Sequence, residues 1–235
     1  MNDVTVIGAG PTGMSCALGL AARGLVPRIV DARPGPVQQS RAMGVQARTL
    51  ELYRMFGIAD EAVALGTRVR RVHVMSRGDE LTTFSLGDMG QGISPFPYLL
   101  TLAQDVHEAF LLQKLEALGV QVEWGVRCTA VRPRADAVTL TLERDGHETT
   151  EETRWLVGCD GGHSVVRQQL GIGFPGGTNE GLFYVADVDT DRPSDEVWAS
   201  FGEHSFALLF PVRTQGTQRI IGMVPPELDA DVDFD

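Results

Sequence analysis

Val4-Thr5-Val6-Ile7 is a short β-branched run that stops at a glycine, the pattern of a buried strand. Pro11 to Arg23 reads as a helix, because proline suits its first turn and Gly24 suits the position just past its end. Pro27 to Asp31 is a second short strand, closed by the turn-forming Arg33-Pro34-Gly35-Pro36. These segments form a strand–helix–strand unit of about 30 residues.

Farther along, Ala47 to Phe56 carries Leu50, Tyr53 and Met55-Phe56 at helical spacing. Val69 to Met75 alternates and predicts a strand, with Asp79 to Leu86 as its pairing partner. Gln104 to Leu118 predicts an amphipathic helix that Gly119 stops, and Val120 to Trp124 a strand that continues the first sheet. From Cys128 to Leu156 the period changes to two, with Asp145-Gly146 as a hairpin signal, which predicts an inserted antiparallel meander. Trp155 to Gly158 is expected as a separate buried strand ending in a glycine-rich turn. After Gly173 the helical pattern gives way to four candidate strands: Leu182 to Val188, Glu196 to Phe201, Ser205 to Val212 and Arg219 to Val224. The fold class expected is α/β. A Rossmann-like, mainly parallel sheet with an inserted meander occupies 1–67 and 103–173. A mainly antiparallel sheet takes 68–102 and 174–235.

Composition narrows the classes. The 235 residues are 43% hydrophobic and 22% charged, which fits a packed core and excludes a disordered chain. No apolar run approaches the ~20 residues of a membrane-spanning helix. The net charge of −11 argues against an extended nucleic-acid surface. Glu227, Asp229, Asp231, Asp233 and Asp235 crowd the last residues, and a solvated turn or tail is expected there. Cys16, Cys128 and Cys159 have no disulfide or metal spacing, so a reducing compartment, the cytoplasm, is the expectation. His73, His107, His147, His163 and His204 also lack metal spacing, and no metal is expected.

Gly8-Ala9-Gly10-Pro11-Thr12-Gly13 follows a strand and opens a helix, and Asp31 ends the next strand. That context fits a dinucleotide. Gly8 permits the tight turn, Gly10 lets backbone approach a pyrophosphate, and Gly13 allows close packing of helix on strand. Asp31 can accept hydrogen bonds from a ribose diol. A second strand-to-helix turn holds Gly158-Cys159-Asp160-Gly161-Gly162-His163-Ser164, with Arg167 just beyond.

With these two motifs the chain resembles the single-component FAD-dependent aromatic hydroxylases of the para-hydroxybenzoate hydroxylase type, and among them the phenol and polyketide hydroxylases most. The resemblance implies roles for Asp160, Gly161, Ser164 and Arg167 in FAD and NAD(P)H binding. It places Arg41, in Arg41-Ala42-Met43-Gly44, and Gln104 beside the flavin, and Cys128 near the adenine through its backbone. Gly8, Gly10, Pro11, Thr12, Gly13, Asp31, Ala32 and Arg33 complete the implied cofactor set. The implied reaction is reduction of FAD by NAD(P)H, formation of a C4a-hydroperoxyflavin with O2, and hydroxylation of a small aromatic substrate. No catalytic base is implied. A third family motif, a Gly-Asp turn, does not follow Gly173, so a chain lacking the C-terminal part of such an enzyme is expected. The alternative is a non-catalytic or FAD-deficient fragment, self-associating or needing a partner chain that supplies that motif. A ubiquinone-type hydroxylase, an epoxidase or a flavin halogenase on the same fold and a simple NAD-dependent dehydrogenase also compete. The Trp-x-Trp-x-Ile-Pro segment of halogenases is absent, and a dehydrogenase has no place for the second Asp-Gly turn.

Overall fold

The structure is a computed structural model that describes residues 2–38, 42–87, 90–177, 181–192, 195–212 and 217–224. In chain order its elements begin β1 (Asn2–Ile7), α1 (Pro11–Ala21), β2 (Arg28–Asp31), β3 (Gly44–Val45), α2 (Ala47–Met55), α3 (Ala59–Leu65) and β4 (Thr67–Val69). They continue with β5 (Arg71–Ser76), β6 (Asp79–Ser85), β7 (Leu99–Thr101), α4 (Gln104–Ala117), β8 (Val122–Trp124), β9 (Arg127–Pro133) and β10 (Val138–Arg144). Last come β11 (His147–Gly158), α5 (Val165–Gln169), β12 (Phe183–Asp189), β13 (Glu196–Phe201), β14 (Phe206–Pro211) and β15 (Thr217–Met223). The class is α/β, as the sequence predicts. The acidic stretch 227–235 and Arg41 lie outside the described residues.

The chain divides into two compact units, 1–39 with 105–176 and 40–104 with 177–235. In the first, a six-stranded sheet runs β8-β2-β1-β11-β10-β9. β1 pairs in parallel with both β2 and β11, and β8 adds in parallel beyond β2. The antiparallel meander β9-β10-β11 completes it, turning at Asp145-Gly146 with both residues at positive φ, as its hairpin signal requires. Ile7, Val30, Val126, Cys128, Val131, Leu140, Leu142 and Val166 form one buried cluster that welds meander to parallel strands.

Trp155 to Gly158 is not the separate buried strand that its apolar run suggests. It is the far half of β11, a single strand that leaves the meander and enters the parallel sheet, and Trp155 is 68% exposed. Its neighbours across both β10 and β1 satisfy the backbone continuously, so no break is needed.

In the second unit a six-stranded sheet runs β12-β15-β14-β13-β5-β6, so the four strands predicted after Gly173 all form and two strands from 71–85 join them. Segment 40–67, grouped by its sequence with the first domain, belongs instead to this unit. β7 pairs with β3 on one side and β4 on the other, which ties 44–45 and 67–69 to 99–101. The strand predicted over Val69 to Met75 is broken at Arg70, whose amide donates to the Asp195 carbonyl. On the large sheet, buried His73 lies between two carboxylates, Nδ1 at 2.9 Å from Glu80 and Nε2 at 2.9 Å from Glu196. Its ring stacks on Trp198 at 3.9 Å. Burial pushes the Glu196 carboxyl up, but hydrogen bonds from Arg71 and His73 outweigh it and hold it below the usual range.

These environments fix the response to acid. Burial of His107 on α4 lowers its pKa below the ordinary 6.5, so the unfolded chain takes up a proton that the folded chain resists. Stability is therefore expected to fall as pH drops below 6.5. A second loss is expected below 4.5, as Glu123 and Glu196, both held low in the folded chain, are protonated. Melting temperature against pH checks this, and His107→Gln is expected to flatten the first stage and leave the second.

Candidate cofactor site

Three turns leave the carboxyl ends of adjacent strands β2, β1 and β11. That edge, where the chain runs to opposite sides of β1, is where open α/β sheets bind ligands. The β1 turn is formed by close backbone approach. Gly8 has φ +97°, and a Cβ there would strike the Cys159 carbonyl. A Cβ at Gly13 would fall on the Gly8 carbonyl oxygen, so α1 packs against its own turn only because residue 13 is glycine. At Gly10 a Cβ would meet nothing within 4 Å. The fold itself therefore needs no glycine at Gly10, and the open space above it fits a group that comes close to the backbone.

Gly10 is the N-cap of α1, with no side-chain capping bond and no acidic residue in the first turn. Pro11 has no N–H to satisfy, and Thr12 points outward. The amides at the head of this eleven-residue helix are left to an outside acceptor, and its dipole favours an anion.

Asp31 closes β2, 8% exposed. Its Oδ2 accepts from the Ala9 amide at 2.6 Å, and its Oδ1 from the Arg33 amide at 2.8 Å. The carboxylate thus locks the glycine turn to the end of β2. Ala32 is exposed beside it. Arg33 reaches back, Nε 3.1 Å from Asp31 Oδ1 and Nη2 3.0 Å from the Ala9 carbonyl, with its guanidinium over the Trp124 ring. Burial pulls Arg33 down, but its hydrogen bonds to Asp31 and the charges of Asp31 and Glu108 outweigh this and raise its pKa.

The third turn is held by Asp160. Its Oδ2 accepts from the Val165 amide at 2.6 Å and the Val166 amide at 3.2 Å, and its Oδ1 from the Ser164 hydroxyl at 2.5 Å. Ser164 caps α5 by accepting from the Arg167 amide. Gly161 takes φ +80°, and Arg167 bonds the Gly162 carbonyl and lies over Phe174. The Cys159 amide donates to the Ile7 carbonyl at 2.7 Å, which sets this turn directly beside the Gly8 turn.

Cys128 is buried in the core cluster, and its thiol points to the Ala130 carbonyl. Burial pushes Cys128 and Cys159 up to about 11, so neither is a thiolate at neutral pH. Gln104 opens α4, where its Oε1 accepts from the Ala42 amide at 3.2 Å. The structure brings together Gly8, Gly10, Gly13, Asp31, Arg33 and Asp160. Sequence reasoning missed Glu108, fully buried and bonded to Arg33 at 3.0 Å, and Trp124 under the guanidinium. Glu108 stands one helical turn after Gln104, a spacing that signals a shared face. A cleft of about 350 Å³ beside Arg28, Glu123 and Arg144 lies apart from these turns, and its arginines are already paired with Glu123 and Glu151. Among the described residues no cluster of side chains suits a metal ion, and no helix is long and apolar enough to cross a membrane.

Residues 1–233 match the model of the FAD binding domain family. The chain belongs to this family. The 6-methylpretetramide 4-monooxygenase of Streptomyces rimosus is 36% identical over 198 residues, covering 83% of this chain and 35% of that protein. The rifampicin monooxygenase of Rhodococcus hoagii is 32% identical over 213 residues, covering 86% of this chain and 41% of that protein. The flavin-dependent monooxygenase PieE, solved in complex with FAD and substrate, superposes with a TM-score of 0.86 at 25% identity, over 100% of this chain and 44% of its own. The chain spans less than half the length of each of these relatives.

The glycines separate into those the fold requires and one it does not. Gly13→Ala is expected to destabilise the fold by about 3 kcal/mol or more, since backbone cannot yield to the new methyl. Gly10→Ala is expected to leave the melting temperature unchanged. Asp160→Ala is expected to cost about 1–2 kcal/mol, the worth of a lost cap. Thermal or urea unfolding of the three variants measures all of this.

Proposed function

We propose that this chain carries the FAD site and part of the substrate sheet of a monooxygenase that hydroxylates an aromatic substrate, phenolic or polyketide, with NAD(P)H and O2. The observation that carries the reading is the adjacency of the Gly8 turn, Asp31 and the Asp160 turn at neighbouring carboxyl ends of one sheet. The monooxygenase names of its relatives support the reaction class.

When bound, FAD would supply the redox chemistry by which NAD(P)H and O2 serve the hydroxylation. The residues here do the holding. The head of α1, from Gly10 through Pro11 and Thr12 to Gly13, faces the pyrophosphate. Asp31 accepts from the adenosine ribose, with Ala32 and Arg33 alongside, and the Cys128 backbone lies toward the adenine. Asp160, Gly161 and Arg167 form the wall shared by FAD and NAD(P)H, and Arg41 and Gln104 serve the flavin end. The first compact unit is read as the FAD-binding domain and the sheet of the second as the substrate domain. The role of that sheet is to wall the ring with apolar side chains and keep water out. Three free cysteines, none of them in a disulfide, agree with a reducing, cytoplasmic setting.

Titration of FAD into the chain, followed by the flavin absorbance band and fluorescence, tests the reading. Saturable one-to-one uptake is expected. Gly10→Ala is expected to weaken it at least tenfold, because its methyl enters the space left for the pyrophosphate. A folded chain that takes up no FAD overturns the reading, and undiminished uptake by Gly10→Ala removes the pyrophosphate from the head of α1.

A further inference from the structure

The geometry points to Glu108 as a positioning residue that keeps Arg33 from competing with the cofactor ribose for Asp31. The inference rests on the FAD reading above and deepens it.

Glu108 sits in the second turn of α4 with no accessible surface. A carboxylate there must be paired and hydrogen-bonded. Its Oε2 accepts from Arg33 Nη1 at 3.0 Å and from the Val37 amide at 3.1 Å. It therefore fixes both the guanidinium and the backbone of the loop after β2.

Arg33 spans two carboxylates. On the other side Nε is 3.1 Å from Asp31 Oδ1 and Nη2 is 3.2 Å from Asp31 Oδ2. Asp31 also accepts the Ala9 and Arg33 amides. Four donors meet a carboxylate that offers about four lone-pair sites. A ribose diol adds further donors, so a bond to Asp31 must give way when the ribose arrives. The two amides are fixed by the glycine turn and the end of β2. The guanidinium contacts are the ones free to yield.

Glu108 makes that yielding cheap. The guanidinium, flanked by Trp124, retains a full carboxylate partner through Nη1 when it releases Asp31. With Glu108 neutral, Asp31 becomes the only carboxylate bonded to Arg33, and the ribose has to displace a charge-assisted pair. In this arrangement Arg33 contributes to the site as the rival that Glu108 restrains.

The assignment has a signature that a purely structural role lacks. Glu108→Gln is expected to weaken FAD about tenfold, and ADP, which carries the same ribose, by a similar factor. Adding Arg33→Met to Glu108→Gln removes the rival and is expected to bind FAD at least about threefold more tightly than Glu108→Gln alone. Fluorescence titration of the full chain reads the affinities, and melting temperatures of the apo variants report folding. Glu108→Asp keeps the charge one methylene farther from Arg33. It is expected to fall between parent and Glu108→Gln, and serves if that variant does not fold. Unchanged affinity in both Glu108 variants, or a double variant weaker than Glu108→Gln alone, overturns the inference while the FAD reading stands. A folded parent chain that binds neither FAD nor ADP overturns the FAD reading and the inference with it.

Discussion

The site depends on one close approach of backbone to backbone. β1 pairs in parallel with β2 on one side and with β11, about 150 residues later, on the other. At the carboxyl end of that trio Gly8 passes over the Cys159 carbonyl with no room for a side chain, and Gly13 passes over Gly8 in the same way. Two loops far apart in the chain are thereby forced into contact. Hydrogen bonds from Gly8 to Val30 and from Cys159 to Ile7 fasten them there. A side chain at either glycine would pry the turns apart.

Around this contact charge is arranged so that little of it is left alone. Asp31 serves the Ala9 amide and Arg33, Arg33 serves Asp31 and Glu108, and Glu108 also holds the Val37 amide. Asp160 takes up two amides and a hydroxyl in its own turn. Buried polar groups of this kind fix geometry rather than add much net stability, because desolvation offsets most of the attraction. The contrast is the head of α1, where no side chain caps the amides. Open amides and the helix dipole favour an anion at such a helix end.

The second unit follows the same physics for a different end. Its large sheet carries buried His73 between Glu80 and Glu196, with Trp198 stacked on the ring. Arg219, nearly inaccessible, meets Asp187 on the neighbouring strand through two hydrogen bonds, 2.7 and 2.8 Å. These pairs link strands laterally, across β13 and β5 and across β12 and β15. They hold the sheet's register where the hydrophobic pattern alone would allow slippage.

Local grammar made much of this legible. The glycine turn after β1, the proline that opens α1, the glycine after α4 and the Asp145-Gly146 hairpin act over a few residues. Backbone conformations at such points are properties of the residues themselves. For that reason the α/β class, the first strand–helix–strand unit, the meander and the four late strands could be read from the residues alone, together with the candidates Gly8, Gly10, Gly13, Asp31 and Asp160. It took the folded chain to reveal that β11 runs unbroken through Trp155, that 44–45 and 67–69 pair with 99–101, and that Glu108 stands behind Arg33. Each of these rests on partners between about 30 and 150 residues away, and neither period nor propensity encodes which distant strand or carboxylate will satisfy a backbone amide or a buried charge.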